Sequence, residues 1–112
     1  MQPDARALLW DARRALALVL EFVEGRGWVD YQSDPMLRSA VERQFQIVGD
    51  ALNRLSRVDS ETAATIPDLP RIVAFRNVLV HGYAIIDDEL VWEVATTRAT
   101  TLAETLERLL AK

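Results

Sequence analysis

Arg76-Asn77-Val78-Leu79-Val80-His81-Gly82-Tyr83 holds the only histidine in 112 residues, five positions after an arginine and two before a tyrosine. The chain around it reads as helix. Asp68 is placed to cap, Pro70 falls in the first turn where its missing N–H costs nothing, and no further breaker appears until Gly82. With about 100° per residue and Arg76 as origin, Ile72, Phe75, Val78, Leu79 and Gly82 fall between roughly 200° and 320° and form the predicted core face. Arg76, Asn77, His81 and Tyr83 take the remaining arc, where Asn77 and His81 are neighbours one turn apart and Arg76 and Tyr83 align two turns apart. The polar groups are therefore predicted to line one groove. Val73 and Val80 share that arc, and two valines on a water-facing surface point to a second apolar surface covering part of the groove, most simply another copy of the chain.

Working outward, three more long helices frame this one. Asp4 to about Glu24 places Leu9, Ala12, Leu16, Val19, Leu20 and Val23 on one face, and Gly25 and Gly27 end it. Trp28 to Ser33 reads as a short linker or single turn. Asp34-Pro35 is a start signal for a helix reaching about Arg57, with Leu37, Val41, Phe45, Val48, Leu52 and Leu55 as its core stripe. Glu42, Gln46, Gly49 and Asn53 make a second stripe; a glycine inside a helix costs about 1 kcal/mol relative to alanine, so Gly49 points to close helix approach. The stripe itself reads equally as a solvated face or as a lining of the groove. Val58 to Pro67 is predicted to be a loop with room for one short helix. Asp87 and Asp88 can cap a final helix, about Glu89 to Leu110, carrying Val91, Ala95, Arg98, Leu102, Leu106 and Leu109. With no strand alternation, repeat or interdomain linker, the expectation is an all-α antiparallel bundle of four to five helices, one domain over residues 1–112.

Composition narrows the chemistry. Half of the residues are apolar, enough for one helical core, and the absence of cysteine removes disulfides and thiolate metal sites. No signal-peptide pattern and no apolar run of about 20 residues is present, so a cytoplasmic location without membrane contact is the default expectation. The net charge of −4 works against nonspecific RNA affinity. Arginine nonetheless supplies all the basic residues but Lys112, and its guanidinium suits bidentate phosphate contact at a local site. Asp87-Asp88-Glu89 reads as helix capping rather than a cation site. Trp10, Trp28 and Trp92 are scattered without basic interleaving and read as core or interface residues, not a base-stacking platform.

Arg76, four residues, His81, one residue and Tyr83 form an Arg-x4-His-x-Tyr motif, and the passage resembles HEPN-domain proteins, specifically the HepT-like ribonuclease toxins. Asn77 supplies the polar residue usual after the arginine. The resemblance extends to the long first helix, to Ala40-Val41-Glu42-Arg43-Gln44 leading into Ile47-Val48-Gly49-Asp50-Ala51, and to the proline-bounded entry of the motif helix. Two departures are visible: relatives often have glutamate where Asp50 stands, and many have tryptophan where this chain has Asp68-Leu69. The resemblance implies a homodimer whose cleft holds the motif, with Arg76 and His81 catalytic and Asn77 supporting. It further implies an RNA substrate and a type VII toxin–antitoxin pairing, in which a nucleotidyltransferase antitoxin of the MntA type attaches AMP to Tyr83.

The chemistry fits these residue types. RNA carries its own nucleophile, the 2′-hydroxyl, so cleavage needs a base, an acid and cations against the phosphorane charge, with no metal and no cofactor. An imidazole, whose unperturbed pKa is about 6.5, can serve as base or acid; a guanidinium can hold the scissile phosphate, and an amide one turn away can orient either. One histidine cannot give and take a proton at once, whereas a two-fold dimer brings two into one cleft. Plainer readings stand beside this one. His81 can be a helix C-terminal cap, Arg76 the partner of a carboxylate, and Tyr83 a core aromatic. At the level of function, the alternatives are a HEPN interaction module that binds a nucleotidyltransferase or nucleotide without cutting RNA, and a purely structural dimer.

Overall fold

Capping chemistry fixes where the helices begin. The computed structural model describes residues 1–82 and 85–112; Tyr83, the expected modification site, lies outside the described residues, as does Ala84. Helix α1, Pro3–Val23, starts on a proline. A short α2, Trp28–Ser33, occupies the stretch predicted as linker or single turn. Asp34 then caps α3, Pro35–Val58, accepting from the backbone N–H groups of Met36 at 3.0 Å and Leu37 at 3.1 Å. Asp59 caps the short α4, Ser60–Ala64, through Thr62, and the motif helix α5 covers Leu69–His81. Asp68 does hold the position before α5, but in a left-handed conformation (φ 62°) with no side-chain cap; its carbonyl, not its carboxylate, takes the first N–H groups, from Arg71 and Ile72.

The last helical run is α6, Asp88–Glu93, a π-helical turn, Val94–Arg98, and α7, Ala99–Leu110. That turn corrects the predicted stripe. A π-turn adds a residue to one turn, so the buried positions pass to Ala99 and Ala103 in place of Arg98, which is exposed, and Leu102, which is half-buried, while Val91, Ala95, Leu106 and Leu109 stay buried as predicted. Placing the guanidinium in water and a methyl group in the core is the physical reason the shift is favourable.

The core lies between α1, α3 and α7, with the predicted stripe of α3 buried, that of α1 buried except for the half-buried Leu20, and α5 laid on the far side of α3. All six predicted α3 core residues are buried. Among the described residues no helix is long and apolar enough to cross a membrane.

One polar cluster sits where α2, α3 and α6 meet. Tyr31 is fully buried between Trp28 and Trp92, with ring centroids at 6.2 and 5.3 Å, and among the described residues its hydroxyl has no hydrogen-bond partner. Burial, together with the Glu42 and Asp88 carboxylates, pushes this phenol well above its usual range. Glu42 is also raised, by burial first and by Asp88 second, against a smaller pull from Arg38, which lies 3.8 Å from Asp88. A carboxyl raised in the folded state stabilises the fold below its unfolded pKa, and that contribution is lost as pH rises through the higher folded value. Glu42→Gln is therefore expected to raise the melting temperature at pH 7 and to leave it unchanged at pH 3. Glu42 is only half-buried, so solvent screening limits the gain to roughly 0.5 kcal/mol, or about 2–4 °C by calorimetry. A melting temperature lowered at pH 7 would show that the carboxylate contributes favourably there.

Candidate active site

The covered face of α5 overlaps the predicted one but is rotated from it. Leu69 and Leu79 are buried, Ile72 and Phe75 half-buried, and Val78, assigned to the core, is 48% exposed. Val73 and Val80 are themselves half-buried, both about 40–60° to one side of Arg76 around the helix, with Leu79 and Ile72 on its other side. The helix is thus turned so that Arg76 lies near the middle of its covered face, directed at α3, while Asn77 and His81 are exposed. The predicted single polar groove is accordingly split. Arginine and histidine lie about 140° apart around the helix axis.

Gly49 explains how an arginine fits against α3. A Cβ added there would overlap Arg76 Cβ and sit 2.6 Å from Arg76 Cγ, so α5 can reach this depth only over a glycine. Close approach then sets the arginine's partners. Arg76 Nε lies 2.5 Å from Asp50 Oδ1, an ion pair whose N–H is not aligned for a hydrogen bond, and Arg76 Nη1 donates to Asn77 Oδ1 at 2.9 Å. Asp50 holds the head of the side chain from α3, and Asn77 holds it from α5. The Glu42, Gln46 and Asn53 side chains, in the same stripe as Gly49, are half-buried rather than fully solvated. Phe45 and Phe75 pack edge to face at 5.4 Å beside this contact and fix the spacing of the two helices.

His81 is the last residue of α5. The chain stops there because Gly82 closes the turn, its N–H donating to the Val78 carbonyl at 2.6 Å; a Cβ on Gly82 would lie 2.7 Å from the same oxygen. The imidazole is left exposed at the helix end, available to a ligand and in the place where the helix dipole favours positive charge. Sequence reasoning marked Asp50 only as a position where relatives often have glutamate and missed it as the partner of Arg76. Its signal was present in the plain reading of Arg76 as a carboxylate's partner, but only the helix crossing identifies which carboxylate.

The family described as "Ribonuclease HepT-like" matches residues 12–109, which include every one of these residues. The chain belongs to the HepT-like ribonuclease family. A Methanocaldococcus jannaschii protein named as a candidate RNase is 30% identical over 91 residues, covering 81% of this chain and 83% of that protein. A protein from Caldanaerobacter subterraneus subsp. tengcongensis with the same description is 27% identical over 94 residues, 84% of this chain and 83% of its own. Among solved structures none matches significantly. In this HepT-like chain the motif therefore has a rigid half, Arg76 clamped between Asp50 and Asn77, and an open half, His81 at the helix end.

Proposed function

We propose that this HepT-like chain is a metal-independent endoribonuclease toxin of a type VII toxin–antitoxin pair. The observation that carries the reading is Arg76 held by Asp50 and Asn77 five residues before an exposed histidine on the same helix. A guanidinium fixed by two partners needs little reorganisation to meet the charge that develops on a phosphorane, and the donors it does not use remain for phosphate oxygens. In the proposed reaction a base removes the 2′-hydroxyl proton, the 2′-oxygen bonds to phosphorus, and the bond to the 5′-oxygen breaks as an acid protonates it. The products are a 2′,3′-cyclic phosphate and a 5′-hydroxyl.

His81 supplies one of the two proton transfers, and a second His81 from a two-fold partner supplies the other. Support for a dimer comes from α5, which has α3 as its main packing partner and turns Val78 outward on the same side as Asn77 and His81. Silencing is assigned to a nucleotidyltransferase antitoxin of the MntA type. Tyr83 Oη gives up its proton and attacks the α-phosphorus of ATP, pyrophosphate leaves, and the attached AMP adds a phosphate two residues after His81, where it competes with substrate.

The deciding experiment incubates mass-verified unmodified protein with bulk RNA in excess EDTA. Cleavage leaving 2′,3′-cyclic ends is expected. A folded, unmodified protein that cuts none of a varied set of RNAs would replace this reading with a non-catalytic module that binds a nucleotidyltransferase.

A further inference from the structure

Between α1 and α3 runs a groove of about 430 Å³ that shares a wall with the Arg76 site. Asp50 lines the groove and also holds Arg76, so the two regions meet at one side chain. The floor is apolar, with Leu8, Leu18 and Ile47 half-buried. Two exposed arginines stand on the rims, Arg14 from α1 and Arg54 from α3. Trp10 does not line the groove but stands next to its rim, 47% exposed, with the Arg14 guanidinium 5.8 Å from its ring centroid. Its exposure removes the core half of the sequence reading of this tryptophan, and Arg14 gives it a basic neighbour.

These features fit a short single strand of nucleic acid. The volume lies within the range of small-ligand sites, about 300–1,000 Å³, with room for one or two nucleotides. Guanidinium groups bind phosphate oxygens, and an exposed indole partnered by arginine offers a face on which a base stacks. The carboxylates do not cancel the arginines. Asp50 is already paired with Arg76, which leaves Asp11 alone against Arg14 and Arg54. In a chain of net charge −4, such a local surplus is where a polyanion can be held.

Resting on the ribonuclease reading, we propose that the α1–α3 groove is a subsite for single-stranded RNA flanking the scissile phosphate. Arg14 and Arg54 take its phosphates, and Trp10 stacks a base. Arg76 is reached from the groove past Asp50.

The test uses a fluorescent 2′-O-methyl hexaribonucleotide, which lacks the nucleophile and cannot be cut, so binding is read separately from cleavage. The full-length unmodified protein is titrated at several salt concentrations alongside the Arg14→Gln/Arg54→Gln double variant and Trp10→Phe. The double variant is expected to bind at least about tenfold more weakly. Losing two phosphate contacts should make its salt dependence shallower by about 1.4 in log–log slope. Tryptophan quenching on binding should diminish in Trp10→Phe. Unchanged affinity and slope in the double variant, or no binding by the parent at low salt, overturns the proposal. A change of sedimentation mass in the double variant does so too, by assigning the groove to contact between copies. Parent protein that cuts ordinary RNA in EDTA while either result holds leaves the ribonuclease reading standing without the subsite. Parent that cuts no RNA but passes the binding test keeps the groove and removes the chemistry.

Discussion

RNA cleavage by His81→Ala is expected to fall by about 10³-fold, the scale on which a positioned general acid or base contributes. Fold stability should stay within about 0.5 kcal/mol of the parent, because the side chain is exposed at the end of α5 and fills no part of the core. That separation gives the measurement its force. A histidine serving only as a C-terminal cap contributes roughly 0.3–1 kcal/mol through the helix dipole, and its loss would appear in the melting temperature rather than in the rate. The two roles therefore predict opposite patterns from one variant. Single-turnover cleavage in EDTA, followed by calorimetry on the same preparations, decides between them. Cleavage retained within about threefold of the parent would remove His81 from the reaction and leave it as a cap. Because 10³-fold corresponds to about 4 kcal/mol of transition-state stabilisation, no plausible change in helix stability can imitate it.

The fold was legible where one local signal decides one local outcome. Asp34-Pro35 starts a helix because a carboxylate meets free N–H groups and a proline has none to lose, and Leu37 through Leu55 fall on one face by spacing alone. Legibility stopped where two helices must negotiate. The α5 stripe admits two rotations, since Val73 and Val80 extend its apolar arc beyond the predicted face; what selects between them is the notch at Gly49 on α3, which is far away in sequence. For the same reason the motif residues could be named but the Asp50 partner could not. The π-turn was likewise invisible, because Ala95 followed by either Arg98 or Ala99 satisfies helical spacing until burial decides against the charge. Spacing alone left Trp10 between core and interface, because exposure, unlike hydrophobicity, is a property of the assembled surface.

Gly49→Ala puts that helix crossing to the sharpest test, since two effects of opposite sign compete. Alanine in a helix interior is favoured over glycine by about 1 kcal/mol, which taken alone predicts a more stable protein. Against this, the new methyl group overlaps Arg76 Cβ, an atom at the root of a side chain that cannot swing aside, so α5 itself must move. Forcing a methyl group into a filled contact costs about 1–3 kcal/mol. The balance is a net destabilisation of up to about 2 kcal/mol, read as a lower urea midpoint with an unchanged slope. Activity should suffer more than stability. Displacing α5 pulls the guanidinium away from Asp50, and a shift of about 1 Å in a positioning group lowers a rate by about 10²-fold. The conformational change should also be visible without any substrate, as altered chemical shifts of the Arg76 Nε–H in the variant. A Gly49→Ala protein that melts higher and cuts RNA like the parent would mean that α5 does not seat on α3 at this depth. The clamp on Arg76 would then fall with it, because Asp50 reaches the guanidinium only across that contact.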